Sequence, residues 1–215
     1  MGILGIMLSL NAMAQLSVNT SVEAGYPYPI FRTSSDLDGY RIRNLINASA
    51  GGMVQLLFPN GFGIETGLRA STRGFWFKRP GSGNPVIPEN VDVDISSIGI
   101  PFFVMKHTSV SIPWEPTWSY GAGLQTEWYQ FYATNDQEYE GNGGKTIRSL
   151  GATAGFNYHR FGLYLTGFYA LDALPALPIG VAAGISEPIA LRIHSLQLSF
   201  RGYLFHKNDR QKFKF

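Results

Sequence analysis

Residues 117–133, TWSYGAGLQTEWYQFYA, alternate between two kinds of side chain. Trp118, Tyr120, Ala122, Leu124, Thr126 and Trp128 fall on one parity; Ser119, Gly121, Gly123, Gln125 and Glu127 fall on the other. In residues 62–76, Phe62, Ile64, Thr66, Leu68, Ala70 and Trp76 oppose Gly63, Glu65, Gly67, Arg69, Ser71 and Arg73. In residues 196–204, Leu196, Leu198, Phe200, Gly202 and Leu204 oppose Gln197, Ser199 and Arg201. In 150–158, Leu150, Ala152, Ala154, Phe156 and Tyr158 oppose Gly151, Thr153, Gly155 and Asn157. A helix would smear each set around its axis, whereas a strand sorts it onto two faces. The pattern predicts eight strands, near 16–26, 42–58, 62–77, 91–107, 116–133, 146–160, 162–174 and 189–205.

One face of each strand is apolar, and the other holds Gly, Ser, Thr, Gln and a few mixed charges. The polar face of a soluble sandwich would carry more Lys and Glu. Trp118 and Trp128 share parity ten residues apart. At about 3.3 Å per residue and about 45° of tilt, they stand roughly 23 Å apart along a membrane normal. That matches the apolar band of a transmembrane barrel, about 25 Å tall with aromatics at both rims. Phe62, Trp76, Trp118 and Trp128 are therefore the expected girdle residues.

Composition supports this reading. Of 215 residues, 45% are hydrophobic and only 15% charged, and the net charge is +2. Ordinary soluble domains are about 25% charged. The balance offers no basic footprint for nucleic acid. The absence of Cys excludes disulfides, thiolate metal sites and Cys nucleophiles. Residues 1–14, MGILGIMLSLNAMA, read as a signal peptide: an apolar run, then Ala12-Met13-Ala14 as an A-x-A cleavage site. No Lys or Arg precedes the run, and Gln15 would begin the mature chain. The most apolar later stretch, 161–193, is interrupted by Asp172, Pro175, Pro178, Glu187 and Pro188, so no helix of about 20 apolar residues is predicted. An exported, membrane-like chain without a spanning helix is left with a closed barrel, the other structure that satisfies every backbone group in lipid.

The expected fold is thus all-β: an eight-stranded, antiparallel, up-and-down transmembrane barrel over residues 15–205 in a Gram-negative outer membrane. Pro59-Asn60-Gly61 and the segment from His159 to Gly162 predict tight turns, and 108–115 a moderate one. The segments 27–41, 78–90, 134–145 and 175–188 are longer and rich in Pro, Gly, Asn and charge. Short periplasmic turns, long outer loops and an even strand count put both termini in the periplasm. The charged tail 206–215 would lie there too. Pro101, inside the fourth strand, removes a ladder donor and predicts a bulge.

Three stretches carry a resemblance. Ser97-Ile98-Gly99-Ile100-Pro101-Phe102-Phe103-Val104-Met105-Lys106 is similar to an "L-x-I-P-hydrophobic-hydrophobic-K" strand. Gly51-Gly52 with 61–68 is similar to a second hairpin, and 198–205 (LSFRGYLF) to a closing strand of "L-S-L-G-Y-x-F" type. Together they resemble the small outer-membrane barrels of Bacteroidetes called PorT-like. That resemblance implies the barrel fold and an accessory role in secretion or gliding machinery. The family often stops soon after the aromatic of its last strand, whereas here His206 to Phe215 follows. Phe205 is read as the strand end, with Phe215 as the alternative terminal aromatic.

Candidate chemistry is sparse. Glu65, Arg69, Arg73, Glu127 and Arg201 face the lumen of an eight-stranded barrel, whose interior is just wide enough for side chains. Buried charges there should pair, and no open channel is expected. An enzyme on this scaffold would need His, Ser and an acid together; His107-Thr108-Ser109 places His and Ser on one parity, but at the periplasmic end. His194 and Ser195 point to opposite faces, His159 sits in a turn, and the fourth His, His206, opens the tail. No enzymatic activity and no cofactor are expected. Asp92 with Asp94, and Asp136 with Glu138 and Glu140, read as solvated acids rather than a Ca²⁺ site. Asn19-Thr20-Ser21 and Asn47-Ala48-Ser49 fit a glycosylation pattern but fall in strands. The loop 173–191 carries a single charge; either Leu174, Leu177, Ile179, Val181 and Ile185 form a partner-contact surface, or strands seven and eight extend beyond the membrane or the loop folds over the barrel mouth. Expected partners are outer-membrane lipid, lipopolysaccharide and other outer-membrane or periplasmic proteins. Two functions follow: an accessory subunit of an outer-membrane complex, or a free-standing structural or adhesive barrel like OmpX or OmpA. A lipid A-modifying enzyme is a distant third.

Overall fold

The computed structural model describes residues 17–33, 41–45, 47–78, 90–108, 116–135, 137–177 and 189–205. Ten strands form: β1 (Ser17–Thr33), β2 (Arg41–Asn44), β3 (Ala48–Leu57), β4 (Phe62–Lys78), β5 (Asn90–His107), β6 (Thr117–Asn135), β7 (Gln137–Tyr158), β8 (Phe161–Ala170), β9 (Leu174–Leu177) and β10 (Ile189–Phe205). They make eight staves. β2 continues β3 across a break and pairs β4, and β9 continues β8 and pairs β10. Every pairing is antiparallel, and β1 pairs β10, so the sheet closes.

The register sets the barrel's shape. Cross-strand partners run from Asn19 to Gln55, Glu65, Phe103, Gly123, Gly151, Phe168, Ser195 and Pro29, back on β1. One circuit therefore advances ten residues along β1, a shear of ten. With strands about 4.8 Å apart and about 3.3 Å per residue, that corresponds to a tilt of about 40°.

The alternation read from the sequence is the inside–outside division of the barrel. Val22, Val54, Leu68, Phe102, Leu124, Leu150, Leu165 and Leu198 lie one on each stave, and all are exposed. A continuous apolar outer wall of this kind is lipid-facing. The opposite parity is buried, from Ser17, Asn19, Ser21 and Glu23 on β1 to Gln197, Ser199 and Arg201 on β10.

Pro59, Asn60 and Gly61 close β3 onto β4. The Gly61 N–H donates to Phe58 O at 3.0 Å, Gly61 takes φ 79°, and Asn60 Oδ1 accepts from the Phe62 N–H at 3.1 Å. This is a type I turn followed by a left-handed residue, the three-residue hairpin loop in which glycine costs least. Both termini of the described barrel, at Ser17 and Phe205, lie at the same end as this turn.

Three sequence expectations change. β1 does not end near residue 26 but runs through Pro27 and Pro29 to Thr33. The Pro29 carbonyl faces β2, where it accepts from Asn44 Nδ2 at 3.4 Å. Its missing N–H shares that side, and the β3 ladder has already stopped at Gly25. The prolines thus withhold donors from no paired strand. Second, Pro101 makes no bulge. Register is constant across it on both sides, and only the pairing with β4 lapses over residues 67–68 and 100–101. Thr66 Oγ1 donates to the Pro101 carbonyl at 2.9 Å, bridging the lapse from the side chain. Third, 134–145 is not a loop. β6 and β7 continue as a paired ribbon to Asn135 and Gln137, with a register shift opposite Gln130 that uses the 142–144 (Asn-Gly-Gly) segment. Residues 1–16, the segment 178–188 and the tail 206–215 lie outside the described residues.

Candidate functional site in the barrel lumen

The lumen is a stack of polar layers. Among the described residues, six charged groups are fully buried there: Glu23, Glu65, Glu127, Arg69, Arg73 and Arg201. Five were expected from strand parity; Glu23 was not. Its signal was available, since it shares the parity of Ser17, Asn19 and Ser21 against Val18 and Val22. The charges balance, three carboxylates against three guanidiniums.

They form two clusters. In the first, Arg69 Nε donates to one Glu23 oxygen and Arg201 Nε to the other, the latter at 3.1 Å. Arg201 Nη1 also donates to Glu65 Oε2 at 2.6 Å, and Arg69 Nη1 to Gln125 Oε1 at 2.9 Å. In the second, Arg73 Nη2 donates to Glu127 Oε1 at 2.9 Å and Arg73 Nη1 to the Tyr129 hydroxyl at 2.7 Å. That hydroxyl donates in turn to Glu127 Oε2. Aromatic faces complete the packing: Arg201 lies 3.8 Å over Tyr164, Arg69 5.5 Å over Phe168 and Arg73 5.7 Å over Tyr129. Buried ions are tolerated when paired and multiply hydrogen-bonded, and here both conditions hold. Phe103, Met105, Tyr164 and Phe168 form an apolar plug in the same interior.

Near the turn end a third polar group surrounds His107. Asn19 Nδ2 donates to Gln55 Oε1 at 3.2 Å, which turns Gln55 Nε2 toward Glu65 Oε2 (3.5 Å) and His107 Nε2 (3.2 Å). An amide NH₂ can only donate, so His107 Nε2 accepts and the proton sits on Nδ1. Nδ1–H donates to Ser119 Oγ at 2.6 Å, and Asn157 Nδ2 donates to the same oxygen at 2.8 Å. A nucleophilic serine needs the reverse, its own hydroxyl donating to an unprotonated imidazole nitrogen. This His–Ser pair is wired as structure. Ser109, the expected neighbour of His107, lies outside the described residues. His159 stands in a turn with φ 55°. Among the described residues no group of three His, Asp or Glu side chains is placed to hold a metal ion.

The other named residues sit on the outside. Phe62, Trp118 and Trp128 are exposed on the outer wall, and Trp76 is half-buried beneath the Arg43 guanidinium, 5.2 Å from its ring centroid. Lys106 Nζ lies 4.3 Å over the Phe62 ring. Of the apolar-loop residues, Leu174 and Leu177 belong to β9 and pair with Leu191 and Ile189, while Ile179, Val181 and Ile185 lie outside the described residues. Asp94 is exposed; Asp136 lies outside the described residues.

The barrel aligns with the outer membrane protein OprG of Pseudomonas aeruginosa at a TM-score of 0.51 and 12% identity, over 89% of this chain and 95% of that one. Neisserial surface protein A aligns at a TM-score of 0.41 and 15% identity, over 87% and 97%. Ail, the attachment invasion locus protein of Yersinia pestis, aligns at 0.37 and 12%, over 86% and 99%. No family model matches the chain. No curated protein matches it either. At such identities the OprG likeness speaks for the fold. The chain is a closed, eight-stranded, antiparallel barrel of the outer-membrane type, and its apolar outer wall makes it an integral protein of a Gram-negative outer membrane.

Proposed function

We propose that this barrel is a non-conducting, non-enzymatic accessory subunit of a larger outer-membrane assembly, in the manner of the PorT-like proteins it resembles. The observation that supports this most is the filled lumen. Arg201, Tyr129, Tyr164, Phe75 and Phe103 are among its largest fully buried side chains, and its charges are mutually compensated. A barrel whose described interior is filled by packed side chains, with the His107–Ser119 pair hydrogen-bonded the wrong way round for a nucleophile, acts through its surfaces. One such surface is a strand edge. β7 begins at Gln137, yet β8 joins it only from Ser149. Among the described residues, the 137–147 edge on that side has no paired strand, and an unpaired ladder is a template for another chain. In this reading the turn end and both termini face the periplasm.

The test is gentle detergent extraction of native membranes, affinity capture of the tagged chain and native mass spectrometry. Stoichiometric retention of a larger outer-membrane barrel, lost when Glu140 within the edge is replaced by Pro, is the expected result. A clean monomer of about 24 kDa, consistent with the 23.7 kDa chain, overturns it in favour of a free-standing barrel.

A further inference from the structure

The outer wall at the end opposite the tight turns carries an unusual juxtaposition. Arg32 on β1 and Arg192 on β10 are direct cross-strand partners, and both are exposed. Like charges directly opposite each other destabilise a sheet. Neither arginine forms a close ion pair with a carboxylate among the described residues, although Arg192 acts on Asp172 at longer range. The nearby acid, Asp172, is already forked by Arg148, with Nε at 3.0 Å and Nη2 at 3.1 Å.

His194 lies one outward position along β10 from Arg192, opposite Ile30. Its side chain is 92% buried, being 8% exposed, and stacks on Tyr169 with ring centroids 4.5 Å apart. His194 Nδ1 accepts from the Ala170 N–H at 3.1 Å. A backbone N–H can only donate, so the neutral ring carries its proton on Nε2. That Nε2–H is buried and has no acceptor among the described residues. An orphaned buried donor costs about 1–3 kcal/mol unless something fills it.

Among the described residues, three donors without a side-chain or backbone acceptor thus share one outward patch. The patch adjoins lipid-facing residues on the same two strands: Tyr28 and Ile30 on β1, Leu196 and Leu198 on β10, all exposed. Along β1 the outward apolar side chains from Val18 to Ile30 span about 30 Å of membrane normal at the barrel's tilt, and Arg32 follows at once. A ligand for this patch needs several strong acceptor oxygens, negative charge and an apolar body that lies on the wall below.

We propose that Arg32, Arg192 and His194 form a binding site for the phosphate head group of an anionic membrane lipid, with its acyl chains along β1 and β10. The guanidiniums grip phosphate oxygens, and neutralisation relieves the repulsion between them. An acidic protein segment is the less favoured occupant, because the patch continues into the lipid-facing wall.

The test uses the full chain in neutral detergent micelles and calorimetric titration with dioctanoyl phosphatidic acid, dioctanoyl phosphatidylcholine and inorganic pyrophosphate. Phosphatidic acid should bind roughly tenfold or more tightly than phosphatidylcholine, and the Arg32→Gln/Arg192→Gln variant should lose that preference. Arg192→Glu should lose it too, while raising the thermal midpoint of the lipid-free barrel, since a carboxylate then faces Arg32; this variant keeps the result readable if the first folds poorly. Lys106→Gln, at the other end of the barrel, should change neither. Equal binding of both lipids by the unaltered chain, or an unchanged preference in both arginine variants, overturns the site. Pyrophosphate bound as tightly as phosphatidic acid overturns the lipid as its source and leaves a soluble phosphate.

Discussion

Glu23 and Arg201 stand 178 positions apart in the chain, yet Arg201 Nε donates to Glu23 Oε2 at 3.1 Å inside the barrel. They are also cross-strand partners on β1 and β10, the two strands whose pairing closes the sheet. The ion pair therefore sits on the closing seam. Glu23 is the hub of its cluster, because Arg69 takes its other oxygen.

Removing that hub takes the carboxylate from buried Arg69 and one of two from Arg201, which keeps Glu65. Glu23→Ala is expected to lower the unfolding free energy by about 3–5 kcal/mol, the usual cost of breaking a buried ion pair from one side. Guanidinium unfolding in detergent micelles reads it. The Glu23→Ala/Arg201→Ala double variant should lose less than the sum of the singles. Strict additivity would show that the two residues do not share one network.

The filled lumen predicts an electrically silent barrel. Purified protein in planar bilayers should give no stable single-channel steps. Reproducible steps would show that the Arg73–Glu127–Tyr129 layer opens, and Arg73→Ala should then change their size.

Glycines fall in two groups by what a side chain would meet. A Cβ on Gly123 would lie 1.9 Å from the Phe102 carbonyl oxygen, a backbone atom that cannot swing aside. One on Gly52 would meet nothing within 4 Å. Gly123→Ala should cost about 1–3 kcal/mol, and Gly52→Ala close to nothing. Heat-modifiable gel migration, followed against temperature, separates the two. Equal midpoints would mean that the β5–β6 wall yields easily.

Arg148 forks Asp172 at the rim and, through those hydrogen bonds first, holds its carboxyl below the ordinary carboxylate range. A depressed folded value means the pair is present at neutral pH and is lost as pH falls through that value, below the usual 3.9 or so. Arg148 is exposed and Asp172 only half-buried, so the effect on global stability should be small. Carbon-detected NMR of the Asp172 carboxyl gives the midpoint, and Arg148→Gln should return it to the ordinary range. An unshifted midpoint in the unaltered chain would show that the fork does not persist in solution.

His107 is held by Gln55 as a donor to Ser119. His107→Gln should accordingly leave the acylation pattern of the membrane's lipid A unchanged by mass spectrometry. A changed pattern would return the chain to the enzymes.

Much of this molecule is legible along the chain. Successive strand residues point to opposite faces, so a period of two sorts inside from outside without any knowledge of neighbours. That is why Arg69, Arg73, Glu127 and Arg201 could be assigned to the lumen, and Trp118 and Trp128 to the wall, before any pairing was known. The strand ends were less legible. Pro27 and Pro29 look like terminators, and the glycines of 141–144 look like a loop. Whether a proline breaks a strand depends on whether a partner lies on its N–H side, and whether glycines form a ribbon depends on the strand opposite. Both are facts about neighbours.

The sequence by itself determined the strand count, the parity of each residue and, through an apolar face on every stave, the lipid environment. Those properties are local, repeating every two residues. The tertiary structure alone decided which buried charges meet, that Arg32 faces Arg192, and that His194 keeps an unanswered proton donor. These depend on the shear of ten, a property of the closed ring that accumulates over eight pairings and belongs to no one of them.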